Sequence, residues 1–374
     1  MLDISISGSS GVANIGWNTF EEYKPLRNDD AKKIADESKV DLIQLFQPIS
    51  TEEAALLNDE VFSKRSDITL SFKCANDDGN CDLSILSNLS NVRRLKITDD
   101  ILGMKEKPKI VNAESISAPK DLAWLRFDAL KEKDFSFLKC LNPEIRTIAL
   151  AIGNKSANFD IESLLQFGEL ENLAIQGWKK GIDKLRDFNA VKSLILRGIT
   201  IDDYSFINHM NAITGLSIRW GKNTDLSALY GNEKIETLEF WRVSNMDNVD
   251  IIAHLPNLKV VCLKQLKNIK SFPSLSKLSF LKEIRVEELS SLADFTSLEA
   301  VPNLENFYGG SNKTIPAESL IPVLKNPSLK GFYFNCGNGK EQQKLNEYIK
   351  EHMREPNNPP KWQKFALLFD LIGG

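Results

Sequence analysis

Residues 213–240, ITGLSIRWGKNTDLSALYGNEKIETLEF, carry one motif twice. Ile213, Leu216 and Ile218 recur as Ile235, Leu238 and Phe240: a large apolar residue, two variable positions, a second apolar residue, one variable position, a third. The same spacing occurs in VRRLKI (92–97), LAWLRF (122–127), IRTIAL (145–150), LENLAI (170–175), VKSLIL (191–196), LKVVCL (258–263), LKEIRV (281–286), LENFYG (304–309) and LKGFYF (329–334). Successive starts lie 30, 23, 25, 21, 22, 22, 23, 23, 23 and 25 residues apart. One match would carry little weight, whereas eleven at a near-constant beat define a repeat.

The last three residues of each motif alternate with period 2, which is the pattern of a short strand with two side chains facing inward. Upstream of most strands runs a second apolar series, as in SFINHMNAITGLSI and IIAHLPNLKVVCL, with apolar residues three or four apart. That spacing predicts a short helix or 3-10 segment. One strand and one short helical segment cannot bury their apolar faces alone, so neighbouring repeats must stack.

Over roughly residues 82–336 this pattern resembles the leucine-rich-repeat superfamily. The resemblance implies an α/β solenoid: a horseshoe with a parallel sheet on its concave face, helical or 3-10 segments on its convex face, and a cap at each end. The sequence departs from the family in one respect. Many members place Asn or Cys just after the strand, where it forms a ladder of side-chain-to-backbone hydrogen bonds. Here that region reads QGW, RGI, RWG, WRV, KQL and EEL, and only FNC at 334–336 is similar. The backbone groups a ladder would satisfy must find other partners.

Residues 1–81 are expected to form an N-terminal cap of degenerate repeats, with strands at 2–7, 40–46 and 67–72 alternating with helices at 29–38 and 51–65. The second helix starts at Ser50 or Thr51 as N-cap with acids in its first turn. The alternation predicts parallel strands continuous with the main sheet. Residues 82–336 form the array, and 337–374 a C-terminal cap. There, 340–355 read as a helix with Leu345, Tyr348, Ile349 and Met353 on one stripe, PNNPP stops it, and an apolar tail, KWQKFALLFDLIGG, is expected to dock on the last repeat. The long first step contains 99–119, read as a protruding loop or an extra strand in IVNAESIS.

Several chemistries are excluded or disfavoured. The net charge of −4, with Lys and Arg interspersed among Asp and Glu, argues against a nucleic-acid partner. No window approaches the ~18 consecutive apolar residues of a membrane span. MLDISISGSSGVANIGW lacks the basic and apolar regions of a signal peptide, and five scattered cysteines suit a reducing compartment, so a cytoplasmic location is expected. CANDDGNC (74–81) fails as a calcium loop, because Cys74 and Ile85 would fall at ligand positions one and twelve; it reads as a turn, with a disulfide left open. The three histidines, 209, 254 and 352, are scattered. No phosphate-loop, dinucleotide or nucleophile-elbow motif is present. The expectation is no enzyme, no metal and no cofactor.

Parity then places the functional face. The residue between the two inward side chains and the residue after the strand face outward, onto the concave surface. With strands ~4.8 Å apart, Arg219 should lie beside Trp241 and Trp220 near Arg242, flanked by Arg197 and Lys264, with Trp178 near the same edge. Arg126, Glu239, Arg285, Glu287, Tyr308 and Tyr333 complete the candidate partner-binding set. Trp, Tyr and Arg are the types enriched at interface hot spots, and Arg can stack on indole. The alternative weighed here is that these side chains stack on one another to fill irregular turns. The function read from this is a non-enzymatic module that grips a protein partner on its concave sheet and is otherwise monomeric, with an inhibitor or immunity role as one form of it. Two other readings are the recognition arm of an effector enzyme and a surface adhesin of the internalin kind whose leader has been trimmed.

Overall fold

Each of the eleven motifs forms a five-residue strand that begins two residues into the motif. They are β6 (Arg94–Thr98), β8 (Trp124–Asp128), β9 (Thr147–Ala151), β10 (Asn172–Gln176), β11 (Ser193–Arg197), β12 (Gly215–Arg219), β13 (Thr237–Trp241), β14 (Val260–Lys264), β15 (Glu283–Glu287), β16 (Asn306–Gly310) and β17 (Gly331–Asn335). They are seen in a computed structural model that describes residues 2–7, 10–16, 25–99, 107–222, 225–311 and 315–353. The chain divides into two compact units, one up to Ile182 and one from Asp183.

In the N-terminal unit β3 (Val40–Leu45), β4 (Thr69–Phe72), β6, β8, β9 and β10 pair in that order, all parallel. A further strand, Ser10–Ile15, pairs in parallel with β3, so the predicted parallel continuation of the first 81 residues fails only for the strand at 2–7. Before it, β1 (Leu2–Ser7) folds back on β2 (Ser10–Ile15) as an antiparallel pair, a strand the alternation did not reveal. Helix α1 spans Asn28–Asp36. Helix α2 (Thr51–Leu56) starts at Ser50, whose hydroxyl accepts from Glu53 N while the Glu53 carboxylate accepts from Ser50 N, and runs into a wider π turn at Leu57–Phe62. In the first long step, β7 (Lys109–Val111) pairs in parallel with β5 (Asn80–Asp82), followed by a 3-10 turn at Ala113–Ser117. The Asn76–Gly79 turn sets Cys74 and Cys81 in hydrogen-bond contact as buried free thiols, which holds the Cys81 thiol far above its usual range.

In the C-terminal unit β11 to β17 pair in sequence order, all parallel and without register shift. Leu216, Leu238, Val261, Ile284, Phe307 and Phe332 therefore form one continuous buried row. Gly309 stands where other repeats carry Leu, Ile, Val or Phe. A Cβ there would meet Val286 O at 2.4 Å and the Phe334 ring at 3.1 Å, so its neighbours already fill the site. Helix α3 spans Ile321–Leu324, and α4 spans Gly339–His352. Asn338 caps α4 by accepting from Glu341 N at 3.0 Å, and Glu341 in turn accepts from Ala317 N at 2.8 Å. The apolar tail at 361–374 lies outside the described residues.

The connecting segments are short 3-10 turns with a shared entry. Asp203 accepts from Ser205 N at 2.7 Å, Asp225 from Ser227 N at 2.8 Å and Asp294 from Thr296 N at 2.9 Å. The Ser205 hydroxyl, with its amide, holds Asp203 below the usual carboxylate range, and the Ser227 and Thr296 amides do the same for Asp225 and Asp294. In two of them the residue between the pair, Tyr204 or Phe295, is buried and plugs the core, while Leu226 in the third is half-buried.

In place of a side-chain ladder, the backbone ladder overruns the strands at both ends. Before them, one carbonyl accepts two amides of the next repeat: Thr214 O takes Glu236 N and Thr237 N at 2.8 and 3.0 Å, and Glu236 O takes Lys259 N and Val260 N at 2.7 and 3.1 Å. Beyond them, in the C-terminal unit, the second residue after the inward-facing triplet donates to the last carbonyl of the next strand from Gly198 to Ser311. Trp220 N reaches Trp241 O, Arg242 N reaches Lys264 O and Gln265 N reaches Glu287 O, each at 2.8 Å, and Glu288 N reaches Gly310 O at 2.9 Å. In six successive repeats that position is left-handed: Gly177 and Gly198 have φ +77° and +63°, while Trp220, Arg242, Gln265 and Glu288 have 55°, 54°, 52° and 53°. A side chain in this region costs ~1–2 kcal/mol.

Two glycines at this position separate strain from crowding. At Gly198 an added Cβ meets nothing within 4 Å, whereas at Gly177 it meets Ile152 O at 2.5 Å. Gly198→Ala should cost about 1 kcal/mol in chemical denaturation, and Gly177→Ala distinctly more. Equal losses, or none, would contradict the assigned geometry.

Candidate functional site

The side chains singled out by parity in the C-terminal unit come together in the expected register. Arg197 pairs with Arg219, Arg219 with Trp241, Trp241 with Lys264 and Lys264 with Glu287 on successive strands. Beside this row runs the left-handed row of Gly198, Trp220, Arg242, Gln265 and Glu288. The two rows interlock through their rings. Arg197 lies 3.8 Å and Arg242 5.7 Å from the Trp220 ring centroid. Arg219 lies 5.1 Å and the Lys264 ammonium 5.4 Å from that of Trp241. The two indoles meet edge to face at 6.2 Å. Trp241 Nε1 donates to Gln265 Oε1 at 3.2 Å, and Gln265 Nε2 donates to Glu288 Oε2 at 2.9 Å. Each indole thus lies between cations, the arrangement that cation–π attraction favours.

The face has a buried floor and an exposed rim. Arg219 and Glu239 are each only 2% exposed. Arg219 Nε donates to Glu239 Oε2 at 2.8 Å, and Ser217 Oγ donates to the same oxygen at 2.5 Å. Ser217 is small enough for the arginine to lie across its strand toward Glu239. Arg197 is also buried. These three belong to the support of the face and not to its outer surface. Their neighbours form the rim: Trp220 is 39% exposed, Arg242 and Glu287 are exposed, and Trp241 and Lys264 are half-buried. Lys264 and Glu287 pair at 3.6 Å.

The remaining candidates are dispersed. Arg285 pairs with buried Glu283 and lies 5.9 Å from the Tyr308 ring. Tyr308 is buried, its hydroxyl donating to Asn306 Oδ1 at 2.9 Å, and burial pushes its phenol above the usual range. Tyr333 is 47% exposed. In the N-terminal unit, Arg126 is half-buried against Asp128 at 2.5 Å. Trp178 is buried, packed edge-on against Phe159 at 5.9 Å, and offers no outer surface.

The reading by parity passed over Gln265 and Glu288 as part of the interlock, together with Asn245, Lys267 and Asn268. With Trp220, Arg242 and Gln265, these last three line a groove of about 460 Å³ at the ends of β12 to β14. A signal for the left-handed row was available: the glycines of QGW and RGI align with Trp220 and Arg242 in the repeat. Among the described residues, no three His, Cys, Asp or Glu side chains could hold a metal ion, and no helix is long and apolar enough to cross a membrane.

Strand-turn units repeated every 21–30 residues and stacked through a parallel ladder have the architecture of a leucine-rich-repeat solenoid. Neither a protein-family model nor a curated protein matches the sequence. Among solved structures the chain is similar to an internalin of Listeria monocytogenes, at 14% identity and TM-score 0.47 with 90% of each chain covered. It is similar to a leucine-rich-repeat protein of Leptospira interrogans at 12% identity and TM-score 0.43, over 89% of this chain and 93% of that one. A chain of the Toll–Spatzle complex of Drosophila matches at 12% identity and TM-score 0.44, over 96% of this chain and 56% of its own.

The buried pair yields a stability prediction. Glu239→Ala strips a buried guanidinium of a carboxylate and should lower the unfolding free energy by about 3 kcal/mol. Arg219→Met with Glu239→Leu removes both charges and should recover most of that loss. A neutral Glu239→Ala in urea titration would show that the pair does not hold the floor together.

Proposed function

We propose that this chain is a protein-binding module that grips a protein partner on the outward, concave face of its C-terminal unit. The observation that carries this reading is the combination of a buried ionic floor with an exposed rim of Trp220, Trp241, Arg242, Lys264 and Glu287. The floor and the stacked cations fix the rotamers of the rim, so little side-chain entropy is left to lose on binding. Aromatic and guanidinium groups supply the contact area and directional bonds typical of hot spots. The rim carries both signs of charge, which favours a folded partner with its own acidic and basic patches. Seven strands at ~4.8 Å give the unit's sheet a width of roughly 30 Å, comparable to a standard interface. Within this reading the finer assignment is an inhibitor or immunity role, carried out as a monomer. Five free cysteines support a reducing cytoplasm as its place of action. The negative net charge disfavours nucleic acid as the partner.

The test is affinity capture from native lysate with rim variants that leave the floor intact. The wild-type chain should retain a defined protein. Trp241→Ala combined with Lys264→Glu should lose it by at least tenfold in affinity, with an unchanged melting temperature. Failure of the wild-type chain to retain any protein, or equal retention by the variant, would overturn the reading. Arg219 is unsuited to this test, because its substitution reports on folding.

A further inference from the structure

Left-handed backbone at positions other than glycine concentrates, among the described residues, at the groove at the ends of β12 to β14. Among the described residues, six other than glycine have a left-handed backbone, and four of them line this groove: Trp220, Arg242, Asn245 and Gln265, at φ 55°, 54°, 60° and 52°. Such conformations cost free energy and concentrate where a function requires the side chain to stand in a particular direction. Gly177 and Gly198 show that the repeat accepts a residue without strain at the position Trp220, Arg242 and Gln265 occupy. Large polar and aromatic side chains nevertheless occupy it in consecutive repeats, and they converge on one cavity.

The chemistry of that cavity is one-signed. Its lining holds two cations, Arg242 and Lys267, with the amides of Asn245, Gln265 and Asn268, and no carboxylate. The chain as a whole has 51 acidic against 47 basic residues, so this local excess of positive charge runs against its average. Trp220 forms an apolar wall and is 39% exposed. Arg197 and Arg242 brace the ring. A wall of indole beside a guanidinium and an ammonium suits a group with an aliphatic stem and an anionic head. Aspartate and glutamate side chains have that form.

We propose that this groove takes an acidic segment of the protein partner, an Asp or Glu carboxylate pairing with Arg242 and Lys267 while its stem lies on Trp220. This rests on the reading of the chain as a protein-binding module and names the part of the partner that enters the groove. The guanidinium supplies a planar fork that a carboxylate matches with two hydrogen bonds. The side-chain amides can donate to the segment's backbone carbonyls. An arginine beside a half-solvated ring loses less to desolvation than a fully buried charge would.

The test uses a displayed library of random 12-residue peptides selected on the full chain. Selected peptides should be enriched in Asp and Glu next to an apolar residue. Their affinity should fall at least tenfold in Arg242→Gln with Lys267→Gln, and should weaken as salt rises from 50 to 300 mM. Circular dichroism and melting of the double variant confirm that it folds. Should it not fold, Lys267→Gln alone, at an exposed position outside the interlock, must show a weakening of at least threefold. No selected peptides, no acidic enrichment, or unchanged affinity in the folded variant would overturn the proposal. Lysate capture separates this failure from that of the wider reading. A partner retained equally by wild type and by Arg242→Gln with Lys267→Gln, but lost on Trp241→Ala with Lys264→Glu, would leave the module reading standing and remove the groove from it.

Discussion

The hydrogen bond from the amide just past each strand to the last carbonyl of the next is the constraint on which the rest of the C-terminal unit depends. It carries the ladder past the strand ends; Ser311 makes it without a left-handed backbone, whereas Gly198, Trp220, Arg242, Gln265 and Glu288 make it from one. That conformation turns the side chain away from the core and sets it beside the outward-facing end of the strand. Trp220, Arg242, Gln265 and Glu288 acquire their common direction in this way. Four strained residues in consecutive repeats, at ~1–2 kcal/mol each, are tolerated because the ladder and the ring contacts together over-determine them.

The second element is the floor. Ser217, Arg219 and Glu239 form a compact buried network across two strands, with Trp241 lying over the guanidinium. Buried ion pairs of this kind contribute little net stability and become costly only when one partner is lost. Their effect here is geometric: the pair fixes the ring of Trp241, and through Trp220 the guanidinium of Arg242. Stacking between neighbours, set out from the sequence as the alternative to partner binding, thus runs through the whole strip, and what differs along it is exposure. Arg197 and Arg219 stack and are covered; Trp220 and Arg242 stack and stay open.

How much of this was legible in the sequence follows from what each signal encodes. Period 2 within a strand fixes which way a side chain points, and a constant repeat fixes which residues become neighbours; both are local rules, and the row from Arg197 to Glu287 follows from them. Exposure is not local. Ser217 leaves space that Arg219 fills, and only the register with Glu239 shows that the guanidinium sinks instead of standing in solvent. The left-handed row was marked by two glycines, but four larger residues at the same position hid it. The Asp-x-Ser and Asp-x-Thr entries to the turns were also visible, yet spacing alone does not separate them from ordinary loop polarity. The antiparallel β1–β2 pair was missed because Ser10–Ile15 is too mixed in polarity to stand out as a strand.

Residue-resolved native-state hydrogen exchange tests the overrunning ladder most directly. If the bonds past the strands are as firm as those within them, the amides of Trp220, Arg242, Gln265 and Glu288 will exchange as slowly as those of Ile218, Phe240, Leu263 and Val286. Exchange of the first four at the rate of an open loop, with the second four protected, would mean that the ladder stops at the strand ends and that nothing holds the Trp and Arg side chains in one row.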